Sequence, residues 1–318
     1  MNLKKLAVFS LLFVFVFAAS VGAVDEYPQE DLEMIIQAGA GGASDMVARV
    51  VASEMEESMG VPVVAQNMEG AAGSIAMNYV RQSDPDGYTV GYVPVELSML
   101  NHLGYMDLHP EDFELLGQAM IIPAALTVHE DSPWETLDDF VEYAEENPGE
   151  ITVGNSGTGS IWHIAAAALE EELGLEFNHI PFDGAAPAVT DLRGGHIDAV
   201  TVSPTEVLSG VEADDLRVLG VMAEERSEVI PEVETFKELG YDVNVIAWGG
   251  FAAPTGLPDE VRDTLVTEVE KALHSDSFIE LTEEQGMDRS YLPPEEFQAF
   301  ALEQYEYYEE LLSEMDLD

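Results

Sequence analysis

Two short stretches hold the residues best suited to chemistry. The first is Ala38-Gly39-Ala40-Gly41-Gly42-Ala43-Ser44-Asp45, between an apolar run and a helical pattern. The second is Asn155-Ser156-Gly157-Thr158-Gly159-Ser160, set the same way before Ile161. Glycines let a ligand lie against backbone. A helix opening at such a loop offers its first free N–H groups, and its dipole favours an anion. In the first loop Ser44 or Asp45 can cap the helix. In the second, the hydroxyls of Ser156, Thr158 and Ser160 can orient ligand oxygens. His163 falls in the first turn of the second helix, where it can meet ligand or be held by local hydrogen bonds. This is chemistry of binding. The chain has no G-x-S-x-G, no H-E-x-x-H and no G-K-[ST], and Gly157-Thr158-Gly159 lacks the third glycine of a dinucleotide fingerprint.

Composition narrows the partners. Of 318 residues, 63 are acidic and 11 basic, for a net charge of −52. Only four are lysines, two of them Lys4 and Lys5. Yet 47% of the chain is hydrophobic, enough for two domains with real cores, so disorder explains the charge poorly. A solvated acidic surface suited to brine explains it better, since salt there screens the self-repulsion. Such a surface argues against nucleic acid and anionic membranes as partners. With no cysteine there is no disulfide, thiolate metal site or thiol redox chemistry. No metal or other cofactor is called for. Asp84-Pro85-Asp86-Gly87 begins like a calcium loop, but no ligand set follows, and it reads as a turn.

The elements around the two loops alternate. Residues 1–23 read as a cleaved secretory signal, with Lys4 and Lys5 at its positive end and Leu6 to Phe17 as its apolar run. Strands are expected at Leu32 to Ile36, Val61 to Ala65 and Tyr88 to Val93. Met46, Val47, Val50, Val51 and Met55 lie at helical spacing after the first loop. Further on, Leu126 to His129, Ile151 to Gly154, Asn178 to Pro181 and Asp198 to Ser203 read as strands. Helices are expected from Trp134, over Ile161 to Leu173, from Pro258 as an N1 residue, and over Glu295 to Met315 with a solvated acidic face. Alternating strands and helices argue a mainly parallel sheet covered on both faces.

Seven segments carry a resemblance. In order they are IIQAGAGGASD, VPVVAQNMEGAAGSIAMNYV, DPDGYTVGYV, ITVGNSGTGSIWH, IPFDGAAPAVTDLRGGHIDAV, LRVLGVMAEER and AWGGFAAPTGLPDEV. Together they resemble the receptor proteins of tripartite tricarboxylate transporters, the Bug-type solute-binding family, along essentially the whole mature chain. That resemblance implies an α/β fold of the type II periplasmic-binding kind, with a ligand cleft between two α/β domains. It implies residues 24–120 and 253–318 in one domain and 121–252 in the other. The crossings fall at Gly117 to Val128 and Trp248 to Pro254, with Gly249 and Gly250 as hinge points.

The function implied is capture of a small carboxylate (a di- or tricarboxylate, or an amino acid) outside the membrane and delivery to transporter subunits. The receptor is expected to be monomeric and not an enzyme. A sensor presenting the same ligand to a signalling partner is the alternative. The carboxylate would bridge Ala38 to Asp45 and Ser156 to Ser160, partly through water. His163 and Ser203, at a strand end before Pro204, complete the candidate set with two further acids. Where the family often has lysine the chain has Asp183, and Glu96 ends the third strand. Either these two acids are surface substitutions or they hold a cation. The usual Pro-aromatic start of the first loop is Gln37-Ala38 here. Arg49, one turn past Asp45, is expected to pair with it.

Overall fold

The computed structural model describes residues 27–182 and 184–314. The secretory-signal reading and Asp183 lie outside the described residues. The first half begins with β1 (Leu32–Ile36), α1 (Ala43–Met59), β2 (Val63–Asn67), α2 (Ser74–Gln82) and β3 (Thr89–Pro94). Strand β1 pairs in parallel with both β2 and β3. Helix α1 forms because Val47, Val51 and Met55 recur on one face and are fully buried. It ends at Gly60, left-handed at φ 73°, whose N–H returns to the Glu56 carbonyl.

A long strand, β4 (Phe113–His129), follows, and then the second half. This comprises α3 (Leu137–Glu146), β5 (Thr152–Asn155), α4 (Ile161–Leu173), β6 (Asn178–Pro181), α5 (Ala185–Arg193), β7 (Ala199–Val202), α6 (Pro204–Val211) and β8 (Leu216–Met222). Strand β5 pairs in parallel with β6 and β7. The chain returns through β9 (Ile246–Pro254), and α7 (Asp259–Leu273), α8 (Asp276–Gln285), β10 (Asp288–Leu292) and α9 (Pro294–Glu314) complete the first half. Helix α9 buries Phe297, Ala301 and Tyr308 and leaves glutamates such as Glu303 and Glu306 exposed.

The sheet is mixed and not mainly parallel. Each half holds a parallel trio, but β4, β8, β9 and β10 are antiparallel to their partners. The cause is the double crossing: β4 leaves the first half and β9 re-enters it, so they run in opposite directions. Along β4 the partner changes at one step. Pro123 is in register with Ile246 of β9, and Ala124 with Met222 of β8.

Gly249 and Gly250 are not free torsional joints. Both sit inside β9, paired with β3 on one side and β4 on the other. A Cβ on Gly249 would stand 1.7 Å from the Tyr92 hydroxyl oxygen, and one on Gly250 would stand 2.5 Å from the Gly117 carbonyl oxygen. These glycines make room for close packing. Smaller shifts are local. Strand β2 starts two residues late, α3 begins at Leu137 behind a Thr136 capping box, and Pro258 is the N-cap of α7 instead of its first helical residue.

Candidate functional site

A cavity of about 420 Å³ opens between the halves. The first half supplies Gln37, Ala38, Ala43, Ser44, Tyr92 and Glu96, and the second supplies Ile161, Trp162, Ser203, Thr205 and Glu206. Trp248, at the start of the returning strand, forms part of its wall and packs edge-on against Phe297 at 5.5 Å. The large aromatic at 248 is therefore both core and cavity lining.

The start of α1 faces this space. Its N-cap is Gly42, extended at φ −79°, and no side chain among the described residues accepts from the first turn. The expected cap by Ser44 or Asp45 is not made, because the helix opens at Ala43 and leaves both residues inside its first turn, where their side chains are engaged elsewhere. Ser44 Oγ accepts from Gln37 Nε2 at 2.9 Å. Asp45 turns away from the cavity: its Oδ2 accepts from the Gly41 N–H at 2.9 Å, and its Oδ1 from Arg49 Nε and Asn67 Nδ2, both at 2.8 Å. Asn67 Nδ2 also reaches the Ala38 carbonyl. Asp45 thus braces the glycine loop, with Arg49 as the partner its spacing foretold. Burial pushes its carboxyl up, but the Gly41 N–H, Asn67 and Arg49 together hold it below the ordinary aspartate range. What stays open is a first turn with its N–H groups unanswered.

Helix α4 starts differently. Ser160 caps it, accepting from the His163 N–H at 3.2 Å, and Ser156 Oγ donates to Ser160 Oγ at 2.9 Å. His163 Nδ1 accepts from the Gly159 N–H, and its ring stands edge-on to His179 at 4.9 Å. Burial, then the neighbouring His179, push the His163 pKa down to about 4 against the pull of Glu170, so the ring is neutral. Asn155 Oδ1 takes the Gly157 N–H. The second loop therefore answers the Gly157, Gly159, Ser160 and His163 N–H groups from within, while Asn155 Nδ2 is buried without a partner among the described residues. Ser203 repeats the pattern on α6, with a full capping box to Glu206.

Of the residues singled out from sequence, the structure gathers Ala38, Ala43, Ser44, Glu96 and Ser203 around the cavity. Gly39, Ala40, Gly41 and Gly42 form the loop behind them. Ser156, Gly157, Thr158, Gly159, Ser160 and His163 stand back from the lining, which α4 reaches through Ile161 and Trp162. Sequence reasoning missed Tyr92, Trp162, Thr205 and Glu206. The Ser-x-x-Glu spacing of Ser203 and Glu206 was a readable helix-start signal; the aromatics gave none beyond apolar pattern.

The halves also touch at the rim. Thr205 Oγ1 donates to the Gly286 carbonyl, and the Glu228 N–H donates to Asp288 Oδ1 at 3.1 Å. Tyr105 lies against Gly159.

Two α/β halves, crossed twice by the chain and enclosing a largely apolar cavity with a few polar groups beside an open helix start, define a solute receptor of the periplasmic-binding kind. A family model described as the tripartite tricarboxylate transporter family receptor matches residues 47–317, and the chain belongs to that family. Its binding proteins are periplasmic. BugT of Bordetella pertussis is 30% identical over 310 residues, covering 94% of each chain. A TctC solute binding protein from Polaromonas, solved without ligand, superposes with a TM-score of 0.83 at 35% identity, over 91% of this chain and all of that one (100%). An R. palustris protein solved with adipate gives 0.77 at 26% identity, over 91% and 98%. MatC from Rhodopseudomonas palustris with bound malate gives 0.74 at 25%, over 90% and 100%.

Proposed function

We propose that this chain captures a small carboxylate outside the cytoplasmic membrane and presents it to the membrane subunits of a tripartite tricarboxylate-type transporter. The observation that carries the reading is the uncapped start of α1 opening onto the cavity between the halves. Free N–H groups and the helix dipole suit a carboxylate without any basic side chain. The carboxylates in two structural neighbours, adipate and malate, support the ligand class. The second half contributes through Ile161, Trp162 and the α6 start, in place of a direct bridge from Ser156 to Ser160. Residues 24–120 with 253–318, and residues 121–252, are the two bodies that close on the ligand; the change of partner along β4 supports the first boundary. The receptor works as a monomer after removal of its secretory signal, in a salt-rich medium that screens its −52 charge. The same fold could serve a sensor, and no residue of the site favours that use.

Thermal unfolding of the mature protein in molar salt, with mono-, di- and tricarboxylates and amino acids, tests the reading. A ligand at 100 times its Kd adds about 2.7 kcal/mol, seen as a raised Tm. No shift with any member, for protein first unfolded and refolded free of ligand, would refute carboxylate capture.

A further inference from the structure

The charged groups lining the cavity are both acids, Glu96 from the first half and Glu206 from the second; no lysine, arginine or histidine lines it among the described residues. Their situations differ. Glu206 accepts from the Ser203 N–H and hydroxyl at 2.9 and 2.8 Å. Glu96 receives no side-chain donor among the described residues. It sits in the short 3-10 turn Val95–Ser98 that ends β3. Pro94 is in register with Gly249, so positions 96 and 247–248 lie side by side where β3 and β9 meet the cavity.

The neighbourhood is built and incomplete. Trp248 is 2% exposed and lines the cavity, yet its Nε1 has no partner among the described residues. Tyr92, 1% exposed, lies beside Ser44, and its hydroxyl makes no hydrogen bond of good geometry. Gln37 Oε1 is a further buried acceptor left open. Buried polar atoms are rarely left unpaired unless something else answers them. Glu96 is half-buried, and its partial loss of water raises its carboxyl above the usual range, with only its own backbone N–H opposing. A carboxylate so placed costs free energy unless a cation or a proton accompanies it. A ligand that is only an anion would add a like charge beside it.

We propose that the ligand carries a cationic amine beside its carboxylate, as an amino acid does. The carboxylate takes the open first turn of α1, and Glu96 receives the amine. This deepens the carboxylate reading and rests on it. Gln37 Oε1 is a second acceptor for ammonium protons near the α1 start. Trp248 Nε1 remains as a donor for an oxygen of the ligand. Donors at the helix start and acceptors at Glu96 and Gln37 make the cavity a match for a zwitterion. Charge-assisted pairing of this kind is stronger than a neutral hydrogen bond.

The test is isothermal titration of ligand-stripped protein in molar sodium chloride with matched pairs differing only in the amine. The pairs are aspartate and succinate, glutamate and glutarate, alanine and propionate, leucine and 4-methylpentanoate. Expected is a pair whose amine member binds about 10- to 100-fold tighter. In Glu96→Gln that preference collapses by about tenfold or more, while the deaminated acid keeps or gains affinity. Equal or tighter binding of the deaminated acids overturns the proposal and leaves carboxylate capture standing. So does an amine preference untouched in folded Glu96→Gln, or binding that requires added calcium. Binding by no member of any pair overturns both readings.

Discussion

The starts of α1 and α4 look alike in sequence, yet they differ in the folded protein. Both follow a short strand and a loop of glycines and hydroxyls. At α4, Ser160 and Asn155 answer the loop's own N–H groups, and the neutral His163 ring takes one more. At α1 the side chain that could have done this, Asp45, is drawn backwards onto Gly41, Arg49 and Asn67. The first turn is left open among the described residues, and the loop is tied back by these bonds. A glycine-serine loop before a helix is therefore only the raw material of an anion site. What decides is whether a nearby side chain fills the turn.

The strongest way to break the contrast is to close α1 as α4 is closed. Gly42→Asp suits this, because Gly42 is extended and a Cβ there meets only the Gly39 carbonyl oxygen at 3.6 Å. Titration calorimetry should show affinity for the carboxylate falling by about 100-fold or more, as an internal carboxylate takes the turn. Stability should be unchanged or slightly raised, since glycine is only a few tenths of a kcal/mol worse than aspartate as a cap.

The contrast sharpens when the two braces are cut separately. Asp45→Asn removes the charge that gathers Gly41, Arg49 and Asn67, and should cost about 1.5–3 kcal/mol in urea unfolding, with a parallel loss of affinity. Ser160→Ala removes an ordinary cap, and should cost about 1 kcal/mol with far less effect on affinity. Equal affinity losses in the two variants would mean that both loops hold ligand directly.

The smallest effect is in pH. The folded pKa of His163, about 4, lies below its ordinary 6.5, so the unfolded chain takes up its proton first. Its contribution is complete above 6.5 and is lost as pH falls towards 4, flattening below. Asp45 acts in a lower window: its pKa is below the usual 3.8, so its contribution fades only as pH falls beneath that value. Comparing urea midpoints of wild type and His163→Gln between pH 7 and 4 should show a shallower fall in the variant.

Much of this was legible in the residues, and the limits have physical causes. Local signals placed α4 and β6 to the residue, because Ser160, Gly174 and the short apolar run punctuate them clearly. The pairing of Asp45 with Arg49 followed from helical spacing. The seventeen-residue β4 was not read whole, since its two ends serve different halves and no local pattern marks their continuity. Gly249 and Gly250, expected as hinge points, also admit close neighbours within a doubly paired strand, because a glycine that permits motion and a glycine that admits a neighbouring ring are the same letter. Tyr92, which decides between those meanings, is more than a hundred and fifty residues away in sequence. Cavity residues such as Thr205 and Glu206 depend on long-range placement for the same reason.

The rim contacts have a consequence for signalling between molecules. Thr205 with Gly286, and Glu228 with Asp288, join the second half to the first beside the cavity. A neighbour touching both members of such a seam would respond to their spacing more than to the chemistry of either. On the proposed closure the seam would act as a one-bit readout: a single recognition surface on the neighbour would distinguish full from empty without ever meeting the cargo, and so would serve receptors whose cargoes differ.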